Sequence, residues 1–292
     1  AQLLAPGIIA GAYQTRDVAI TPDGNEFYFG ARAARHYTIL VIKKTKKGWT
    51  EPEIVQNMND PRWMNIEPAL SYDGNKLYWL SNRPSEEGDN GGNQDIWVMD
   101  RTDEGWGEPY NLGAPVNSEF PEYYPSLTKD GTLYFTRNVN GAPQAFIFRS
   151  RLVDGEYQEP EMLPEQVNCG NNHYNAFIAH DESYIILPVA GREDARGGVD
   201  YYIVFRNKDD KWSNPVNLGE KINTDNAFEH SAYVTRDGKY FFFMSTRLRE
   251  DPEKITWQYL KETHKLPETG TSSIYWMDAG FIDTLRSNAV FE

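Results

Sequence analysis

The residues best suited to chemistry recur at fixed distances ahead of five aspartates, Asp23, Asp73, Asp130, Asp181 and Asp237. Eight positions before them stand Thr15, Asn65, Glu122, His173 and Glu229, and six before them stand Asp17, Glu67, Tyr124, Asn175 and Ser231. Alternate residues of a strand share a face, so the two sets are expected to point the same way. Between them lie Arg16, Tyr123, Tyr174 and His230, and arginines recur at 32, 83, 137, 192 and 247. Two carboxylates across a cavity can serve as acid and base, or as acid and nucleophile, in cleaving a glycosidic bond. Asp17 with Glu122 and Glu67 with Glu229 are the candidate pairs. His173 and His230 add groups that can carry a proton near neutral pH. Arg83, Arg192 and Arg247 can take a substrate carboxylate or sulfate bidentately. Trp63, Tyr123 and Tyr174 supply ring faces on which a sugar can stack. Tyr or His beside Arg also suits proton abstraction next to a carboxylate, the chemistry of a uronate lyase.

These residues sit in an internal repeat. The phrases TPDGNEFYF (21–29), SYDGNKLYW (71–79), TKDGTLYF (128–135) and TRDGKYFFF (235–243) share an Asp-Gly between two short β-rich runs, and AHDESYIIL (179–187) is a degenerate copy. The aspartates are 50, 57, 51 and 56 residues apart, the period of a propeller blade. Each Asp-Gly reads as a hairpin turn, with Gly in the left-handed position and Asp bonding the turn backbone. A third strand follows, then an outer strand preceded by WTEP, WGEP, YQEP or WSNP. Pro there fits an outer edge strand, and the aromatic is expected to pack between blades. The last copy lacks its outer strand, and the N-terminal segment resembles one. The prediction is an all-β five-bladed β-propeller of four-stranded antiparallel blades in one domain, with an N-terminal strand closing the last blade. The blades span approximately 15–58, 65–117, 122–168, 173–223 and 229–280 plus 2–10. Closure removes the exposed edge strands.

Residues 248–272 form a far longer connection than its counterparts. DPEKITWQYLKETHKLP suggests a short amphipathic helix with Ile255, Tyr259 and Leu260 on one stripe, and the insertion reads as a lid over the cavity or a patch for a partner chain. Glu67, Arg83 and Arg247 follow the repeat and also suit blade-to-blade ion pairing. Glu122, His173, Glu229 and His230 break it, and breaks are where function is grafted. His36, His180 and His264 read as surface or turn residues.

The chain has 292 residues and a formal net charge of -14, which disfavours nucleic acid and anionic membrane as partners. Cys169 stands alone, so no intrachain disulfide is expected. No apolar run is long enough to span a membrane, and a signal peptide, had there been one, has been removed. No cofactor and no metal site are assigned, because His173, His230, Glu122 and Glu229 lack compact ligand spacing. Calcium is the alternative at GDNGGNQD (88–95), where Asp89, Asn90, Asn93 and Asp95 offer oxygens without the spacing or terminal Glu of an EF-hand.

The motifs S/T-x-D-G, S-x-R and W-x-E-P-x-N-L-G resemble the TolB-like, WD40-like β-propeller repeat of exported bacterial proteins, over nearly the whole chain. The resemblance implies a periplasmic or secreted home. Its relatives include peptide-binding propellers, peptidase propeller domains and polysaccharide-acting enzymes. The peptidase reading fails for want of G-x-S-x-G. Glycoside hydrolysis is therefore the expected activity, with a non-catalytic glycan- or peptide-binding propeller and a uronate-directed lyase as alternatives.

Overall fold

The structure is a computed structural model that describes residues 1–292 except 6, 12, 86–89, 140–143, 226, 251, 264–265 and 292. The Asp-Gly turns form as the repeat predicts. Asp23 accepts from the Thr21 hydroxyl at 2.6 Å and the Asn25 N–H at 3.0 Å, and Asp73 repeats this with Ser71 and Asn75. Gly24, Gly74, Gly131 and Gly238 occupy the left-handed region, with φ of 68°, 78°, 86° and 69°. In the degenerate copy Glu182 takes that conformation instead, with φ 58°.

These turns join the inner and second strands of five small antiparallel sheets. The inner strands are Gln14–Ile20, Asn65–Leu70, Glu122–Leu127, the split pair Asn172–His173 and Phe177–Ile178, and Glu229–Val234. In the last blade the N-terminal strand Gln2–Leu3 pairs with Ser273–Asp278, Leu3 opposite Tyr275, and closes the ring. Five buried apolar clusters fill the space between neighbouring blades. Trp79, Trp97 and Trp106 pack with Tyr28 and Ile39 between the first two blades, and Ile9, Phe29 and Phe242 join the first blade to the last. Three of the four aromatics ahead of the outer strands contribute to these joints: Trp106 donates to the Tyr28 hydroxyl at 3.2 Å, the Tyr157 and Tyr78 hydroxyls meet at 3.2 Å, and Trp212 is buried, whereas Trp49 is 44% exposed.

Two irregularities set the shape of the channel. The inner strands of the first, second, third and fifth blades each lose register at a bulge: between Arg16 and Ala19, Ile66 and Ala69, Tyr123 and Ser126, and His230 and Tyr233. In the fourth, the inner strand is interrupted between His173 and Phe177. The long connection contains the helix Trp257–Thr263, none of whose residues is buried. Among the described residues no helix is long and apolar enough to cross a membrane.

Candidate functional site

The bulges bring the chemistry together. Asp17, Glu67, Tyr124 and Ser231 adopt left-handed φ of 58°, 63°, 53° and 66°. A non-glycine residue there costs about 1–2 kcal/mol, so four equivalent instances mark a backbone over-determined by its surroundings. A bulge re-aims its side chain, and here the re-aimed groups meet across the channel. Arg16 Nε donates to Asp17 Oδ2 at 3.0 Å and Arg16 Nη2 to Glu67 Oε1 at 2.7 Å. The Glu67 N–H donates to Asp17 Oδ2 at 3.2 Å, and the Tyr124 N–H to Glu67 Oε2 at 2.8 Å. Asn175 Nδ2 donates to Glu67 Oε1 and to Ser231 Oγ, both at 3.0 Å, and His230 Nδ1 lies 2.8 Å from Ser231 Oγ. Tyr124 crosses from the third blade to the fifth, its hydroxyl donating to Ala232 O at 2.8 Å. The second strand must leave room: a Cβ at Gly30 would lie 2.7 Å from Asp17 Oδ2.

Above this cluster opens a cavity of about 400 Å³. Arg16, Glu67, Asn175 and His230 bound it with Tyr37, Tyr123, Tyr174 and Phe228. Burial raises the Glu67 pKa to about 7; Asp17 adds to the rise, while Arg16, the Tyr124 N–H and Asn175 oppose it. The leading cause is lost hydration of the buried carboxylate, and one guanidinium shared with Asp17 offsets only part of it. Burial, and then Arg16, hold the His230 imidazole neutral. Burial likewise keeps the Tyr123 phenol protonated.

Asp17, Glu67, Tyr123, Tyr174 and His230 are thus brought together, although Asp17 is closed off behind Arg16 and does not line the cavity. The other residues singled out from sequence lie elsewhere. Glu122 is enclosed within its blade, accepting from Arg137 Nε at 2.7 Å and the Ser118 N–H at 3.0 Å. Glu229 is enclosed too, accepting from Thr224 Oγ1 at 2.7 Å and Ser245 Oγ at 2.9 Å. His173 sets its ring nitrogens against the carbonyls of Ala145 at 2.8 Å and Cys169 at 2.5 Å. The expectation that the two sets share a face therefore fails: the bulge breaks the period of two, and the intervening residues Arg16, Tyr123, Tyr174 and His230 reach the mouth instead.

The repeat arginines serve the joints. Arg83 donates to Asn57 O at 3.1 Å and to Asn65 Oδ1 at 2.7 Å, and stacks over Trp97. Arg247 donates to Ile222 O at 2.8 Å over Tyr275, and Arg192 pairs with Asp194 over Tyr202. Glu67 pairs with Arg16 rather than with a repeat arginine. Trp63 lies against Arg62, and neither it nor any described residue of 248–272 lines the cavity. Arg16, Asn175 and Tyr37 had carried no assigned role; for Arg16 the available signal was a cation one position before the carboxylate of the bulge. In the 88–95 loop, residues 88 and 89, Asp89 included, lie outside the described residues, and Asp95 accepts from Asn93 and Asn111. His264 also lies outside them. Among the described residues no three His, Cys, Asp or Glu side chains gather as a metal site.

No protein-family model matches the chain, and no curated protein does. Solved structures do. A thermostable family-43 glycoside hydrolase aligns with a TM-score of 0.57 at 14% identity, over 94% of this chain and 92% of its own. A GH43 endo-arabinanase from Bacillus licheniformis aligns with a TM-score of 0.52 at 15% identity, over 91% and 93%. The chain shares the five-bladed fold of these two hydrolases. TolB from Acinetobacter baumannii aligns with a TM-score of 0.48 at 15% identity, over 90% of this chain, which spans 57% of the TolB chain.

Proposed function

We propose that this propeller acts on a carbohydrate held in the channel-mouth cavity, and that Glu67 moves the proton. The observation that carries the reading is a carboxyl titrating near neutral pH on the floor of an open cavity with aromatic walls. A general acid works best when its pKa lies near the working pH, and phenol and phenyl faces are surfaces on which sugar rings stack. The fold supports the same reading at a coarser level, since two of the neighbours are family-43 glycoside hydrolases, one an endo-arabinanase. Glycoside hydrolysis is the preferred reaction, with Glu67 donating to the leaving oxygen and Asp17 and Arg16 setting its pKa. Export to the periplasm or beyond is part of the proposal and rests on the repeat motifs.

One observation favours a second reading, a binder without turnover. Asp17 is enclosed, so Glu67 is the one carboxylate among the described residues that lines the cavity. Most glycosidases need two carboxylates flanking the bond.

The test is a panel of arabinans, other neutral glycans and uronate-containing glycans at several pH values. Turnover should fall as pH rises through about 7, where Glu67 loses its proton. Glu67→Gln should lower turnover about a hundredfold or more while substrate still binds. Unsaturated, ultraviolet-absorbing products would replace hydrolase with lyase. Binding weakened by Tyr174→Ala, without turnover, would establish the binder. No binding of any glycan, or binding of peptides alone, would overturn the carbohydrate assignment.

A further inference from the structure

The position seven residues before each turn aspartate supplies one residue per blade: Arg16, Ile66, Tyr123, Tyr174 and His230. All five line the channel-mouth cavity. Such a ring offers a bound molecule one group from each blade, so what each can donate or accept decides what fits. Arg16 is drawn to Asp17 and Glu67, and Ile66 has no polar group to offer. The phenols of Tyr123 and Tyr174 can both donate and accept. An imidazole differs from them. When neutral it holds one proton, and the nitrogen that holds it only donates.

The neighbours of His230 fix that proton. Asn175 Nδ2 gives its two hydrogens to Glu67 Oε1 and Ser231 Oγ, both at 3.0 Å. Ser231 Oγ therefore accepts from Asn175 and has to place its own proton elsewhere. Ser231 is 1% exposed, so bulk water does not take it. Among the described residues its one remaining partner is His230 Nδ1, at 2.8 Å. The hydroxyl donates and Nδ1 accepts. The reverse arrangement would bury the hydroxyl proton without an acceptor, which folded proteins avoid. Burial, and then Arg16, oppose a second proton on the ring. The single ring proton is left to Nε2.

Nε2 is also the atom left free for a ligand. Among the described residues it has no protein partner, and it is not one of the enclosed polar atoms. The ring is half-buried and forms part of the cavity wall. An N–H there can be satisfied only by an acceptor on the bound molecule, and sugars carry acceptors as hydroxyl, ring and glycosidic oxygens.

We propose, resting on the carbohydrate reading of this cavity, that His230 is a specificity-determining residue whose neutral Nε2–H donates to an oxygen of the bound glycan. Its place in the wall then decides which sugars set an oxygen against it and which do not.

The proton is tested first, by isotopic nitrogen labelling confined to histidine in the whole chain. There are five histidines, and the spectrum of His230→Gln shows which signal is missing. Near neutral pH a two-bond proton–nitrogen correlation should show a protonated Nε2 and a bare Nδ1 on His230, and Ser231→Ala should relax that preference. A protonated Nδ1, or protons on both nitrogens, would overturn the proposal. Calorimetric titration with arabinopentaose, xylopentaose and cellopentaose tests the donor. His230→Phe removes the N–H and should weaken binding of the preferred sugar about fivefold or more, whereas His230→Gln keeps an N–H and should stay within about twofold of the parent. The spread among the three affinities should shrink in the Phe variant and persist in the Gln variant. Equal losses in the two variants, or a parent that binds all three sugars alike, would overturn the inference and leave the carbohydrate reading standing. No binding of any glycan would overturn the carbohydrate reading and this inference with it. Denaturation midpoints confirm that the variants fold.

Discussion

At the scale of single residues, the notable feature is that burial raises two glutamates toward neutral pH in different surroundings. Glu67 is raised chiefly by burial and further by Asp17, with the shared Arg16 guanidinium opposing. Glu229 is raised to about 7 chiefly by burial, against hydrogen bonds from Thr224 and Ser245. Its Oε2 is buried without a partner, tolerable for a neutral carboxyl and costly for a carboxylate. A carboxyl whose folded pKa lies above its unfolded value, here near 4.5, stabilises the fold fully below that value. The contribution is lost as pH rises through about 7. Glu229→Gln should therefore lose less stability than the parent between pH 5 and 8, by something on the order of 3 kcal/mol at most. Urea denaturation of both proteins at the two pH values measures it, and Glu67 cancels because both contain it. Parallel losses would contradict a protonated Glu229.

Among the elements, the hairpin turn of the fourth blade shows why one copy of the repeat departs from Asp-Gly. Glu182 holds the left-handed conformation that Gly holds elsewhere, at a backbone cost of about 1 kcal/mol. Its carboxylate accepts from the Tyr134 hydroxyl of the neighbouring blade at 2.8 Å and from Arg206 Nη1, and Arg206 also pairs with Asp210 at 2.6 Å. The side chain thus ties two blades together where glycine would tie none. Restoring the repeat with Glu182→Gly relaxes the backbone but removes a charged hydrogen bond to half-buried Arg206 and leaves Tyr134 without its acceptor. The hydrogen bonds outweigh the backbone term, so a net destabilisation of about 1–2 kcal/mol is expected in urea denaturation. Unchanged or increased stability would show that turn geometry governs this hairpin.

For the molecule as a whole, the ring depends on a strand contributed by the far end of the chain. Gln2–Leu3 covers the edge of Ser273–Asp278, and Ile9, 1% exposed, packs into the cluster between the first and last blades. Removing residues 1–10 would uncover a strand edge and unpack that joint. The loss should be at least about 2 kcal/mol, with association that grows with protein concentration. Thermal unfolding and size-exclusion chromatography read the two effects, and an unchanged midpoint with a monomeric profile would argue against closure as a source of stability.

The sequence by itself determined the architecture. Spacing of the Asp-Gly turns counts blades, and the unpaired N-terminal and C-terminal pieces imply closure, because hairpin chemistry and strand period are local. It also placed Asp17, Glu67, Tyr123, Tyr174 and His230 near one mouth, since equivalent repeat positions are equivalent in space. Only the tertiary structure decided which of them meet. A bulge and a left-handed residue depend on pairing partners that lie on other strands, and alternation alone sends Glu122, His173 and Glu229 to the wrong side. The place of the proton on the His230 ring was invisible for the same reason. Asn175 and Ser231, which fix it, come from separate blades, and nothing in their sequence spacing records that ring closure brings them together.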